Sequence, residues 1–98
     1  MKTMYDFYSD PSHGWLKVSL KELVSLGIES DISRYSYIKG ENAYLEEDCD
    51  MPKFVKAKYN SGVTHIKYRE HVARERYSKI RSYYTYMDST VHHILEIE

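Results

Sequence analysis

The chain has 98 residues, of which 42% are hydrophobic and 30% charged, and its formal net charge is −1. This length fits one domain with its own core, and the composition excludes a largely disordered protein. A near-neutral chain is not an all-round nucleic-acid binder, although it can carry a local basic patch. The single cysteine, Cys49, excludes an internal disulfide, and no stretch reaches the length of a membrane span. We expect one cytoplasmic domain over residues 1–98, with no membrane contact.

The N-terminal part of the chain predicts two strands and a helix. Residues 5–8 form an aromatic run and residues 15–18 alternate apolar and polar positions, which predicts strands on either side of a turn. Ser19 and Glu22 have the spacing of a capping box, so a helix is expected to start there. The pattern predicts that this helix ends at Gly27, a residue suited to a C-terminal cap.

The middle of the chain predicts a hairpin and a second helix. Two β-prone runs, residues 35–38 and 43–45, flank a turn that contains Gly40. Asp50 is the expected N-cap of a helix that has Pro52 in its first turn. A further strand is predicted over residues 63–68. This order of elements predicts an α+β fold: an antiparallel sheet of four to five strands, two helices packed on one face, and a basic C-terminal segment at the edge.

The C-terminal third has a weaker pattern. From Arg69 onward a helix is expected, because one helical face would collect Val72, Ala73, Tyr77 and Ile80. Residues 91–97 fit either a last strand or a frayed tail. We therefore expect residues 85–98 to form a flexible or additional element.

The charges are sorted along the chain. Residues 53–81 contain nine Lys or Arg and two acids, whereas residues 1–52 contain ten acids and five bases. Tyrosines are interleaved with the C-terminal bases, and Tyr with Arg is typical of protein-binding hot spots as well as of nucleic-acid contacts. The predicted binding surface is Arg69, Arg74, Arg76, Tyr77, Lys79, Arg81, Tyr83, Tyr84 and Tyr86.

The turn before the second strand offers a secondary candidate contact. His13 and Trp15 lie there, and an indole supplies a large apolar area with one polar handle. The alternative is a core tryptophan that anchors the first pair of strands, and this alternative is favoured. For Cys49, a small hydrophobic role is favoured over that of a nucleophile.

The acidic residues Glu46, Glu47, Asp48 and Asp50 do not have the ligand spacing of a calcium loop. Favourable electrostatics at the start of the second helix is the preferred interpretation. His92 and His93 are adjacent and diverge on any regular element, so they do not share one metal easily. We predict no metal site, no cofactor and no catalytic residue, and hence no enzyme.

Three blocks of sequence resemble a known family. Residues 8–16 (YSDPSHGWL), 32–37 (ISRYSY) and 44–50 (YLEEDCD) are similar, in this order, to a family of small uncharacterised proteins of bacteriophages, plasmids and bacteria. The resemblance implies a mobile-element accessory protein and carries no reaction or catalytic residue. Inhibition of a host defence complex by direct binding is the role that this association suggests.

Together these observations predict a non-enzymatic binding module that engages a host protein or ribonucleoprotein through its C-terminal segment. The alternative is direct nucleic-acid binding by the same surface. A homodimer formed through an exposed sheet edge stays open.

Overall fold

The computed structural model describes residues 2–74 and 77–97, apart from the side chain of Ile97. These residues form six strands and three α-helices, together with 3₁₀ helices at Glu29–Asp31 and Lys79–Ser82. The elements are β1 (Met4–Ser9), β2 (Gly14–Ser19), α1 (Leu20–Ser25), β3 (Tyr37–Lys39), β4 (Asn42–Glu46), α2 (Met51–Asn60), β5 (Lys67–Val72), β6 (Tyr84–Thr85) and α3 (Asp88–Ile97). The α+β class predicted from the sequence is confirmed.

The strands form one mixed sheet in the order β5-β1-β2-β4-β3-β6. Strand β5 pairs with β1 in parallel, whereas the other described pairs are antiparallel. The prediction of a purely antiparallel sheet of four to five strands is therefore wrong in detail. The physical reason is the connection through α2, which carries the chain from β4 past two strands to the far edge and returns it parallel to β1.

The helices bury one face of the sheet. The core joins Tyr5 and Leu16 of the sheet to Leu23 of α1, Phe54 of α2 and Val91 of α3. Tyr5 and Phe54 meet edge to face, with ring centroids 5.1 Å apart. A third helix thus joins the two predicted ones. The expectation of a strand or frayed tail over residues 91–97 is wrong.

Helix α3 forms because its apolar residues Val91, Ile94 and Leu95 follow the helical spacing i, i+3, i+4 and pack against the core. Strand β5 begins later than predicted. Residues 63–66 are an irregular connection in which Val63 is buried, and the strand starts at Lys67. The helix expected from Arg69 is consequently also wrong, because Arg69 and Val72 belong to β5.

The predicted capping box is half formed. Ser19 Oγ accepts a hydrogen bond from the amide of Glu22 at 3.1 Å, and Gly27 has a φ of 72° as expected for a glycine that ends a helix. The Glu22 carboxylate instead accepts bonds from Tyr5 Oη and Lys58 Nζ, each at 2.7 Å. Lys58 is only 3% exposed, so this ion pair satisfies a charge that would otherwise be costly to bury.

Asp50 is placed directly before α2 as predicted, but its side chain does not cap the helix. The carboxylate is fully buried and accepts bonds from the backbone amide and Oγ of Ser33, at 3.0 and 2.6 Å, and from Ser36 Oγ. Although burial opposes ionisation, these hydrogen bonds lower the pKa of Asp50. Asp50 therefore fastens the loop before β3 to the start of α2.

The acidic residues within 46–50 do not have the role at the start of the second helix that the sequence predicted. No acidic residue lies in the first turn of α2. Glu46 ends β4, and its Oε2 accepts the backbone amides of Asp48 and Cys49 at 3.0 and 2.9 Å. This carboxylate stabilises the turn that leads into the helix, and is not placed to oppose the helix dipole.

Candidate partner-binding surface

The face of the sheet opposite the helices carries basic and aromatic side chains. Residues that lie opposite each other in neighbouring strands share a face, so the register places Arg69 beside Asp6, His71 beside Tyr8, and Lys17 beside Tyr44. We call this surface the basic sheet face and define it by Lys17, Lys39, Lys67, Arg69 and His71, with the rings of Tyr8 and Tyr83 among them. Most of these side chains are exposed, and Lys17, Tyr8 and Tyr83 are half-buried.

Asp6 is an acid that lies within this face. Asp6 Oδ1 is 2.9 Å from His71 Nε2 and 3.6 Å from Arg69 Nη1. The hydrogen bond with His71 lowers the pKa of Asp6, and the charges of Arg69 and Lys17 act in the same direction. Asp6 orders the two β5 side chains but neutralises only part of the positive charge around it.

The tyrosines of this face pack against their neighbours. The rings of Tyr8 and His71 are stacked, with centroids 4.6 Å apart, and Tyr83 meets Tyr44 edge-on at 5.0 Å. Lys39 Nζ lies 4.8 Å from the Tyr83 ring centroid. Tyr44 is 8% exposed, and burial raises its pKa to about 12, with further increases from Tyr83 and Tyr8. These rings form a supporting layer beneath the charges.

Arg81, which the sequence placed on the binding surface, is a structural anchor. Its Nε and Nη2 donate to the two carboxylate oxygens of Asp10 at 2.8 and 3.1 Å, and Nη2 also reaches Ser12 Oγ at 2.6 Å. The guanidinium lies between the rings of Trp15 and Tyr77, 5.4 and 4.6 Å from their centroids. This pair fixes the second 3₁₀ helix to the turn between β1 and β2.

The other predicted surface residues are dispersed. Tyr86 is 2% exposed and donates from its hydroxyl to the carbonyl of Glu29, so it belongs to the core and not to a surface. Arg74, Tyr77, Lys79 and Tyr84 are exposed, Tyr83 is half-buried, and Arg69 lies on the basic sheet face. Arg76 lies outside the described residues.

The surface predicted from the sequence did not include four residues of the basic sheet face: Lys17, Lys39, Lys67 and His71. Lys17 sits between the buried Leu16 and Val18, and Lys39 follows the buried Ile38. The alternation of β2 therefore held the signal that Lys17 faces away from the core. Its meeting with β5 residues depends on strand order, which the sequence pattern does not contain.

A second feature is a cleft of about 280 Å³ at the end of β4. It contains His13 and Trp15, the secondary candidate contact predicted from the sequence. Trp15, 2% exposed, forms one wall together with Tyr37, as a ring pair 6.4 Å apart, and His13 lies at the mouth. Glu46 supplies a carboxylate 3.8 Å from His13 Nδ1. Trp15 is thus a core residue, which is the alternative that the sequence favoured, and it also lines the cleft.

Cys49 lines the same cleft and is exposed. A hydrogen bond with Glu46 raises the pKa of its thiol, and burial and the charges of Glu46, Asp50 and Asp48 raise it further. A nucleophilic cysteine requires the opposite shift.

Among the residues that the structure describes, no group of three or more His, Cys, Asp or Glu side chains is arranged to hold a metal ion. No described helix is both long and apolar enough to cross a membrane. Comparison of the chain with protein-family models, with curated proteins and with solved structures finds no match.

Proposed function

We propose that the protein is a non-enzymatic binding module that engages an acidic surface of a host protein or ribonucleoprotein through its basic sheet face. The observation that carries this proposal is the convergence of Lys17, Lys67 and Arg69 from strands far apart in sequence onto one exposed surface. A concentrated field of one sign orients a partner of opposite sign and speeds its association.

The packing of the tyrosines favours a protein over a single-stranded nucleic acid. Base stacking requires an aromatic face that is free to receive a base. Here Tyr8 is stacked on His71, Tyr44 is nearly buried, and Tyr83 is contacted by Lys39 and Tyr44. The exposed charges and the tyrosine edges suit carboxylates and polar groups of a protein surface.

A mobile-element accessory role, with inhibition of a host defence complex as one form of it, is part of the proposal. It is supported by the resemblance of residues 8–16, 32–37 and 44–50 to phage and plasmid proteins. The first block contains the turn that Arg81 anchors, and the last contains the turn that Glu46 caps. The charged positions of the basic sheet face all lie outside these blocks.

A second copy of the chain is a poor partner for the exposed edge strand β5. In an antiparallel pair related by a two-fold axis perpendicular to the sheet, side chains that face the same side must lie opposite each other. The residue at the axis therefore lies opposite the same residue of the second copy. The two registers with the longest overlap would place Arg69 against Arg69 or Glu70 against Glu70. Like charges directly opposite destabilise a sheet. We infer that this edge does not form a homodimer.

The experiment is an affinity capture from host lysate, with and without nuclease, that compares two charge reversals. Lys67→Glu changes the basic sheet face, and Lys56→Glu makes the same change on the exposed side of α2. We expect a discrete protein band that survives nuclease, weakens for Lys67→Glu and persists for Lys56→Glu. Equal capture by both variants would refute the assignment of the surface.

The same preparation separates the nucleic-acid alternative. Fluorescence anisotropy with a labelled single-stranded oligonucleotide is measured at 50 and 200 mM salt. Binding through several phosphates falls steeply with salt, whereas a protein interface of mixed contacts is less sensitive. Tight oligonucleotide binding with a steep salt dependence, together with loss of all protein capture after nuclease, would replace the proposed function by direct nucleic-acid binding.

A further inference from the structure

The cleft at the end of β4 combines aromatic walls with carboxylates. Trp15 and Tyr37 meet at an interplanar angle of 66°, and Tyr35, 66% exposed, stands at the rim. Glu46 and Asp48 line the same space. Aromatic faces and carboxylates attract the same kind of guest, because the ring quadrupole and the anionic oxygens both stabilise a positive charge.

The charge inside the cleft is negative. Arg81 also lines it, but the bidentate pair with Asp10 neutralises this guanidinium. Glu46 Oε2 accepts hydrogen bonds from the backbone amides of the turn, and Glu46 Oε1 lies 3.8 Å from His13 Nδ1. The neighbouring Glu47 has its pKa raised by burial and by the charges of Asp48 and Glu46, as expected where carboxylates crowd together.

Trp15 already contacts one cation of the same chain. The Arg81 guanidinium lies 5.4 Å from the centroid of the Trp15 ring. The surroundings of this indole are therefore compatible with a planar cation.

We propose that this cleft binds one organic monocation of the guanidinium or alkylammonium class. Its volume of about 280 Å³ is at the lower limit for ligand pockets, so it accommodates a single arginine- or lysine-like group and not a larger ligand. Such a group comes either from a side chain of a protein partner or from a free small amine. The proposal uses a different surface from the basic sheet face and does not depend on the proposed function.

Trp15 is the only tryptophan in the chain, so its fluorescence reports on the cleft directly. The protein is titrated with methylguanidinium chloride at constant ionic strength, and with methylurea as the neutral probe of similar shape. We expect a saturable change in fluorescence with methylguanidinium and none with methylurea. No saturation, or the same response to both probes, would overturn the proposal.

Two variants test the walls against matched controls. Asp48→Asn removes a carboxylate of the cleft and Asp31→Asn removes an exposed one elsewhere, while Tyr35→Leu and Tyr59→Leu remove exposed rings inside and outside it. Because exposed ion pairs and cation–π contacts are individually weak, each cleft variant should reduce affinity by about two- to fivefold. The controls should leave it unchanged. Equal effects of cleft and control variants would contradict the assignment.

The source of the cation is decided by a third probe. An acetylated Gly-Gly-Arg-Gly-Gly peptide amide presents the same guanidinium on a polypeptide. Binding of this peptide at least as tight as that of methylguanidinium assigns the cleft to an arginine side chain of a partner. Binding of methylguanidinium with exclusion of the peptide assigns it to a free small cation.

Discussion

Replacing Asp10 by Asn tests whether the Arg81 pair holds the C-terminal segment to the sheet. Among the described residues, five nitrogen donors converge on this carboxylate: the amides of Ser12, His13 and Ser78 at 3.0, 3.0 and 2.9 Å, and two nitrogens of Arg81. Asn keeps the shape but turns one acceptor into a donor that faces other donors. The substitution therefore removes the charge and leaves buried donors unpaired.

The magnitude follows from burial. The Asp10 side chain is 0% exposed and that of Arg81 is 32% exposed. Breaking a buried ion pair by removing one partner costs about 3 to 5 kcal/mol. Because water reaches part of the guanidinium, we expect the lower end of this range, about 3 kcal/mol, and a fall in Tm of about 12 to 24 °C for a domain of this size.

The pH dependence has a definite sign. Arg81 holds the pKa of the Asp10 carboxyl well below its usual range, and the amides of Ser78, Ser12 and His13 add to this effect. A depressed folded-state pKa contributes stability that is fully present above the unfolded value of about 4 and is lost as the pH falls below it. The stability difference between the wild type and Asp10→Asn should therefore be constant at neutral pH and shrink below about pH 4.

The assay is urea unfolding followed by Trp15 fluorescence between pH 2.5 and 7. Asp31→Asn, a change at an exposed site, serves as the control and should unfold like the wild type. A loss of less than about 1 kcal/mol at pH 7 would show that the pair behaves like an ordinary surface ion pair. If the difference in unfolding free energy between the wild type and Asp10→Asn does not become smaller in acid, the pKa of Asp10 is not lowered by Arg81.

Three further predictions concern other parts of the chain. Gly14→Ala should lower the free energy of unfolding by about 1 to 3 kcal/mol in the same assay, because the new Cβ would lie 2.4 Å from Phe7 Cζ, and Phe7→Leu should recover part of the loss. Cys49 should react severalfold more slowly with iodoacetamide at pH 7.5 than N-acetylcysteine does, and Glu46→Gln should raise the rate, since the raised pKa reduces the thiolate fraction. Sedimentation equilibrium should give a monomer, because like charges would lie opposite each other if two β5 edges paired; a dimer would contradict this expectation.

The parts of the fold that the sequence predicted are those in which local signals agree. Ser19 and Gly27 mark the ends of the first helix region, and Gly40 marks the hairpin, because caps and turns are decided by residues a few positions apart. Strand β5 was predicted with the wrong bounds. The pattern of residues 63–68 indicated a strand, but the strand that forms is Lys67–Val72, and its six residues are all exposed, so no buried face marks where it begins and ends.

The candidate surface was predictable only in part for a related reason. The basic run over residues 53–81 is continuous in sequence, but the structure divides it among three environments. Lys58 is buried beside Glu22, Arg69 lies on the sheet face, and Arg81 pairs with Asp10. Counting charges along the sequence does not show which basic residues will form ion pairs inside the fold. Here several of them pair with acids of the N-terminal half.

The two proposed sites lie on the same side of the sheet with opposite charge. One row of side chains runs from β5 to β4 through His71, Tyr8, Trp15 and Glu46, because each is level with the next across a strand pair. Three strand spacings separate its ends, which is about 14 Å. The row therefore begins in the basic sheet face and ends in the acidic cleft. A partner that used both sites would be oriented by them, since reversing it would set like charges together at both ends.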